Sequence, residues 1–286
     1  MRWTPGGRSS DLEDRRGSSG GGFGGFGGGG MRLGLGGMAV LLVLSLVFKQ
    51  NFFAMLGDGG AGDGEPVAAG PVASTPEEEK KVEFVSFVLD DAQSTWERLF
   101  QARGRTYEHA KLVLFRDAIQ SACGFAQAAT GPFYCPGDAK VYIDLGFYDE
   151  LQQRFGAPGD FAQAYVLAHE LGHHIQRLTG TEAQVRESQQ NRPDMANDLS
   201  VRLELQADCY AGVWGHETAQ RNILEAGDVD EGLGAAAAVG DDRIQRMQGQ
   251  GVHPEAFTHG SSEQRASWFR RGFESGRPED CDTFKS

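Results

Sequence analysis

Two histidines four residues apart, with a glutamate beside the first, are the residues of this chain best placed to do chemistry: His169-Glu170-Leu171-Gly172-His173. On a helix, four residues turn through about 400°, so both imidazoles lie on one face, one turn apart. They can then reach a single zinc ion at about 2.0–2.1 Å. Glu170 is positioned to act as general base toward an attacking water. This HExxH pattern fixes only three positions, so its surroundings must support it. The run Phe161 to Ala168 holds no Pro or Gly, and apolar positions continue through Leu171 and Ile175 to Leu178. That spacing predicts a helix ending at Gly180. The bland alternative is a buried helix with incidental histidines, and a third ligand separates the two readings.

The stretch Glu204-Leu205-Gln206-Ala207-Asp208-Cys209-Tyr210-Ala211-Gly212 predicts a second helix. Glu204 and Asp208 are spaced i, i+4 and share a face. Glu204 completes a His2Glu zinc site with one position open for water. Asp208 then accepts a hydrogen bond from the far nitrogen of a ligand histidine, fixing its tautomer. Paired acids are more often a solvated face. Here Leu203, Leu205, Ala207, Cys209, Tyr210, Ala211, Val213 and Trp214 make the helix apolar nearly all round, so its acids need partners. A metzincin continuation is absent, since Gln176 stands where that pattern needs Gly.

Taken together, HELGHHIQ, ELQADCYAGVW, GDD, THGSSEQR and a terminal CDTF resemble the bacterial neutral zinc metallopeptidase family. The resemblance covers roughly residues 75 to 284. It implies a gluzincin-type peptidase with one N-terminal membrane anchor, His169, His173 and Glu204 as ligands, and Glu170 as the catalytic carboxylate. In gluzincins an edge strand just before the zinc helix pairs with extended substrate. The segment containing Gly131, Phe133 and Tyr134 resembles that strand, although a plain structural hairpin explains it equally well.

Other residues have weaker claims. His174 points about 100° away from His173 and is not expected to be a ligand. Ser261 with Gln264 fits a helix capping box. Beside it, His259 is a candidate for the cleft, stabilising a developing oxyanion. Tyr210 is a weaker candidate for that role. Gly240-Asp241-Asp242-Arg243 reads as a surface turn that could also bind an ion or cap a helix.

Around this site the chain divides unevenly. Residues 1–32 are rich in Gly, Ser and Arg and predict a flexible cytoplasmic segment. Residues 33–56 begin with LGLGGMAVLLVLSLVF. With Lys49 snorkelling, they give about 20 apolar positions, enough to cross a bilayer once. A cleaved signal peptide is the competing reading. Five arginines precede this run, so the positive-inside rule places the N-terminus in the cytoplasm and the larger part outside a bacterial cell membrane, as a single-pass protein. Residues 57–75 read as a linker and 76–286 as one peptidase domain.

The net charge of −13 argues against a nucleic-acid partner. Four cysteines fit the oxidising exterior and allow three pairings. Cys123–Cys135 closes a local loop, and Cys209–Cys281 would tie the third-ligand helix to the tail; reduced, buried cysteines are the alternative. Thr75-Pro76-Glu77-Glu78 starts a helix running to about Gln101. Lys111 to Phe115, Gly131 to Cys135 and Lys140 to Asp144 read as strands, with Pro132 pushing its strand to a sheet edge.

The expected fold is α+β and zincin-like, a small sheet packed on helices that bring the two motifs together. The expected activity is Zn2+-dependent hydrolysis of peptide or protein substrates. A hydrolase of another amide, such as a cell-wall peptide, is chemically equivalent. A non-enzymatic, membrane-anchored zinc protein is the alternative from a different class. Against it, a structural site needs no base such as Glu170.

Overall fold

The computed structural model describes residues 1–17, 74–128 and 131–285. The first long helix, α1 (Pro76–Gln101), starts where its sequence predicts: the Thr75 hydroxyl accepts from the Glu78 amide at 3.2 Å, and Glu77, Glu78 and Glu79 sit at the positive end.

A four-stranded sheet follows, ordered β1 (Leu12–Asp14), β2 (Lys111–Phe115), β6 (Lys140–Asp144) and β5 (Phe133–Cys135). The first three strands run parallel, while β5 returns antiparallel on β6 and forms an edge. Alternation sends Leu112, Leu114, Val141 and Ile143 into the main core. Val113, Phe115 and Tyr142 face a second cluster that includes Cys135. Burial of both faces explains why Lys111 to Phe115 is so continuously apolar. A hairpin of β3 (Ala118–Ser121) and β4 (Gly124–Gln127) follows β2, with Ile119 packed against the second cluster. Cys123, in the hairpin's turn, is disulfide-bonded to Cys135.

The remaining helices are α2 (Gly146–Gln153), α3 (Asp160–Thr179), α4 (Thr181–Asn191), α5 (Ala196–Gln220), α6 (Asp228–Ala238), α7 (Asp241–Met247) and α8 (Ser262–Ser275). Helix α3 ends at Gly180, whose φ of +83° is left-handed. Helices α5 and α8 approach so closely that a Cβ on Gly212 would strike the Phe269 carbonyl, and one on Gly272 the Cys209 carbonyl. A second disulfide, Cys209–Cys281, ties α5 to the final turn. The fold is α+β.

The N-terminus departs from expectation. Residues 1–17 are not a flexible segment but part of this unit, which takes in residues 1–17 as well as 74–285. Strand β1 pairs Leu12, Glu13 and Asp14 with Leu112, Val113 and Leu114. Trp3 meets the Phe84 ring edge-on at 5.3 Å. Glu13 pairs with Lys140 at 2.6 Å and Asp11 with Lys111 at 2.7 Å. Arg16 is 4% exposed and bonded to Asp14, Glu78 and Glu79 at 2.7–2.9 Å. Composition hides this because three strand residues carry almost no local signal, and their partners lie 100 positions away in the chain. The expected span, residues 33–56, lies outside the described residues, as does nearly all of the linker. Among the described residues, no helix is long and apolar enough to cross a membrane.

The Arg16 cluster generates a prediction. Arg16→Ala should destabilise the unit by about 3 kcal/mol, the low end for breaking a buried pair because Arg8 and Arg116 remain as partners. Hydrogen bonds from Ser74, Arg8 and Arg16 hold the Glu79 carboxyl down to about 2. For Asp14, burial raises the pKa, but Arg16 outweighs it and the net shift is downward. Depressed folded values mean the contribution is present above the ordinary carboxylate range near pH ~4, and is lost as pH falls toward 2. Amide-exchange protection of residues 12–16 should fall across that window in the native protein, and undiminished protection at pH ~2 would refute the clamp.

Candidate metal centre

Helix α3 carries HExxH and helix α5 carries Glu204 and Asp208, so the site depends on how closely these two helices meet. Gly172 lies between the histidines and against Ala207; a Cβ on it would come within 2.9 Å of the Ala207 backbone. No larger residue fits there without spreading the helices. At that spacing, Glu204 Oε2 is 3.2 Å from His169 Nε2, and Glu204 Oε1 is 3.4 Å from His173 Nε2.

The far side of each ring is held. His169 Nδ1 meets Asp208 Oδ1 at 2.8 Å, and His173 Nδ1 meets Gln176 Oε1 at 2.9 Å. Both partners are acceptors, so each Nδ1 carries the proton and each Nε2 presents a lone pair. Two lone pairs and a carboxylate therefore converge, all within 4.8 Å of one another. With both rings neutral, these facing acceptors are satisfied by a cation between them, either a metal ion or a proton on Nε2. Ligand atoms around a tetrahedral ion at 2.0–2.1 Å stand about 3.3–3.4 Å apart, close to the separations found here. The His2Glu set fits zinc in chemistry and in spacing.

The electrostatics agree. Burial pulls the His169 pKa down, but Asp208 and Glu204 outweigh it and raise it to about 10, so a metal ion here would displace a proton from Nε2. Burial pushes Glu204 up, and the neighbouring His173, His169 and Arg265 charges more than reverse this. The pocket is built for positive charge.

Asp208 is fully buried and does more than orient His169. It also accepts from Tyr165 Oη and, through both oxygens, from Arg265 Nε and Nη2 at 2.8 and 3.0 Å. Arg265, on α8, is 4% exposed and neutralises the carboxylate. Sequence reasoning missed Arg265, Tyr165 and Gln176. The signal available was that an acid on an apolar helix must have a partner; only the packing of α8 on α5 shows which one. Gln176 also bonds the Leu203 carbonyl at 2.6 Å, which locks its side chain across the two helices.

A cleft of 640 Å³ opens over the centre. His169, Glu170, His173, Glu204 and His259 line it, together with Gly131, Phe133 and Tyr134. Glu170 is 8% exposed and reaches the cleft beside the histidines. His259 is fixed by Asp241: that carboxylate accepts from the Thr258, His259 and Gly260 amides at 2.6–3.1 Å and lies 3.1 Å from His259 Nδ1. This bond to Asp241 raises the His259 pKa. Asp241 is thus no surface turn but the anchor of the loop. The capping box of Ser261 and Gln264 is present as well, so the two readings of that motif coexist. Tyr210 is elsewhere, edge-on to Trp96 at 5.4 Å, and does not line the cleft.

His174 is buried and lies outside the ligand set. Its Nε2 donates to the Glu108 carbonyl at 2.6 Å, leaving Nδ1 to accept from Tyr134 Oη at 2.9 Å. Burial lowers the His174 pKa, which favours the neutral ring this bond uses. The edge strand β5 is therefore tethered directly to the helix that carries HExxH.

The protein should purify with about one zinc per chain. Elemental analysis of Glu204→Ala should show a sharp loss, and full retention would remove Glu204 as a ligand. Gln176→Ala should weaken zinc affinity about 10–100-fold in a chelator competition, the usual effect of removing the group behind a ligand histidine.

A family described as "putative neutral zinc metallopeptidase" matches residues 1–284. The YpfJ protein of Escherichia coli K12, described as uncharacterized, is 47% identical over 99% of both chains. An uncharacterized protein of Mycobacterium bovis, Mb2605, is 40% identical over 69% of this chain and 68% of its own. No solved structure matches. The family match spans residues 1–284, so this chain belongs to that neutral zinc metallopeptidase family.

Proposed function

We propose that this chain is a gluzincin-type peptidase that hydrolyses peptide bonds in peptide or protein substrates. The observation that carries this reading is the convergence of His169, His173 and Glu204 at one wall of an open cleft, with Glu170 beside them. A purely structural site would be closed by a fourth protein ligand and would need no adjacent base.

Zinc bound there supplies a Lewis acid that polarises the scissile carbonyl and makes water easier to deprotonate. The chain supplies the rest. Glu170 takes the proton of the attacking water and passes it to the leaving amine. His259, oriented by Asp241, donates to the oxyanion as charge develops on it. The open edge of β5 offers main-chain groups near Gly131, Phe133 and Tyr134 for an extended substrate, which accommodates varied sequences. Asp208, Arg265 and Gln176 keep the ligand rings in place and are positioning residues.

The two disulfides fit an oxidising compartment, so we place the domain on the exported face of a bacterial cell membrane. Residues 33–56 are the candidate attachment to that membrane.

Screening the zinc-loaded full chain against a broad peptide library tests the activity. Glu170→Gln should keep its zinc and fold while losing about 10²–10⁴-fold in turnover. An unchanged turnover number sinks the mechanism, and a wild type that cuts nothing favours a binding protein. His259→Ala should lower kcat by about 10²-fold with zinc content intact.

A further inference from the structure

The N-terminal arm and the apolar run make conflicting demands on the chain. Strand β1 is hydrogen-bonded into the sheet beside β2, and Arg16 is buried among Asp14, Glu78 and Glu79. Arg16 Nη1 also lies 3.2 Å from Ser74 Oγ. The ends of the two described stretches, near residues 16 and 74, therefore lie side by side in one folded unit. Between those points the sequence has one apolar run, residues 33–56, flanked by Gly-rich and acidic stretches. One crossing needs about 20 apolar residues, so this run suffices for one crossing and not for two. A single crossing would put residues 17 and 74 on opposite faces of a hydrocarbon core about 30 Å thick. Side chains in hydrogen-bond contact cannot be separated in that way.

We propose that residues 1–17 lie on the same side of the membrane as the domain they complete, and that residues 33–56 do not divide the chain as a single crossing. Any contact of the apolar run with lipid is then made from that one face. The arginine excess, the basis for a cytoplasmic N-terminus, has another explanation in the folded unit. Arg2 pairs with Glu225, Arg8 with Asp14 and Glu79, Arg15 with Glu13, and Arg16 with three acids. Of the five arginines before the run, only Arg32 falls outside the described residues. Arg2, Arg8 and Arg16 join the arm to the domain and Arg15 pairs within the arm, so their presence does not require a cytoplasmic address. The inference concerns topology and stands apart from the peptidase reading.

Single cysteines in the full chain test it, because all four native cysteines are in disulfides and do not react with maleimide. Ser10 in the arm and Gln190 on α4 are both exposed. Ser10→Cys and Gln190→Cys would be expressed separately in a bacterial host and treated with a membrane-impermeant maleimide, before and after permeabilisation. The expected result is that both label in intact spheroplasts, on the oxidising side where the native disulfides form. Labelling of Gln190→Cys in intact spheroplasts with Ser10→Cys protected, or the reverse, overturns the proposal and shows that the run crosses once with the arm detached from the sheet.

Discussion

The centre depends on how closely helices α3 and α5 approach one another at Gly172 and Ala207. Two histidines one turn apart define only a line of possible ion positions. The contact with α5 selects a point on that line, because it fixes the height and distance from which Glu204 faces both Nε2 atoms. The same contact carries Asp208 to His169 and gives Gln176 its anchor on the Leu203 carbonyl. A small residue inside the HExxH motif thus does structural work that neither histidine can do. Close-packed interiors relax little, so a side chain added there would shift every ligand at once.

Close approach creates an electrostatic problem, since it buries carboxylates beside one another. Arg265 resolves it. Its guanidinium forks across both oxygens of Asp208 and comes within 3.9 Å of Glu204. Without this cation, Asp208 would be a desolvated anion and a poor fixed acceptor for His169. Arg265 reaches the centre because Gly212 and Gly272 let α5 and α8 almost touch, and the Cys209–Cys281 bond fastens the same helix to the tail. Glycines and a disulfide outside the candidate ligand set therefore shape the charge balance around it.

The sheet serves the site from the other side. Among the described strands its edge near the cleft is β5, held to α3 through Tyr134 and His174. At its opposite edge, β1 completes the sheet with residues from the N-terminal arm, and a ring of ion pairs fixes that arm to α1 and β6. Both edges of the sheet are thus tied to helices, and β5 keeps one edge unpaired among the described strands.

Local pattern was enough for several features. The helix carrying His169 and His173, its stop at Gly180, the Thr75 cap, the β5–β6 pair and the chemistry of His2Glu were legible because each arises from residues within a few positions of one another, where periodicity and capping act. The juxtaposition of Glu204 with HExxH could be expected because an acid on an apolar helix needs a partner. Its distance and direction could not, since they follow from one glycine contact between helices. Arg265, Gln176 and the Asp241–His259 pair depend on packing between segments far apart in the chain. Strand β1 was hidden for the same reason and more strongly: three residues of a charged arm gain their stability only from pairing with β2, a hundred positions downstream, so only the folded chain could reveal it.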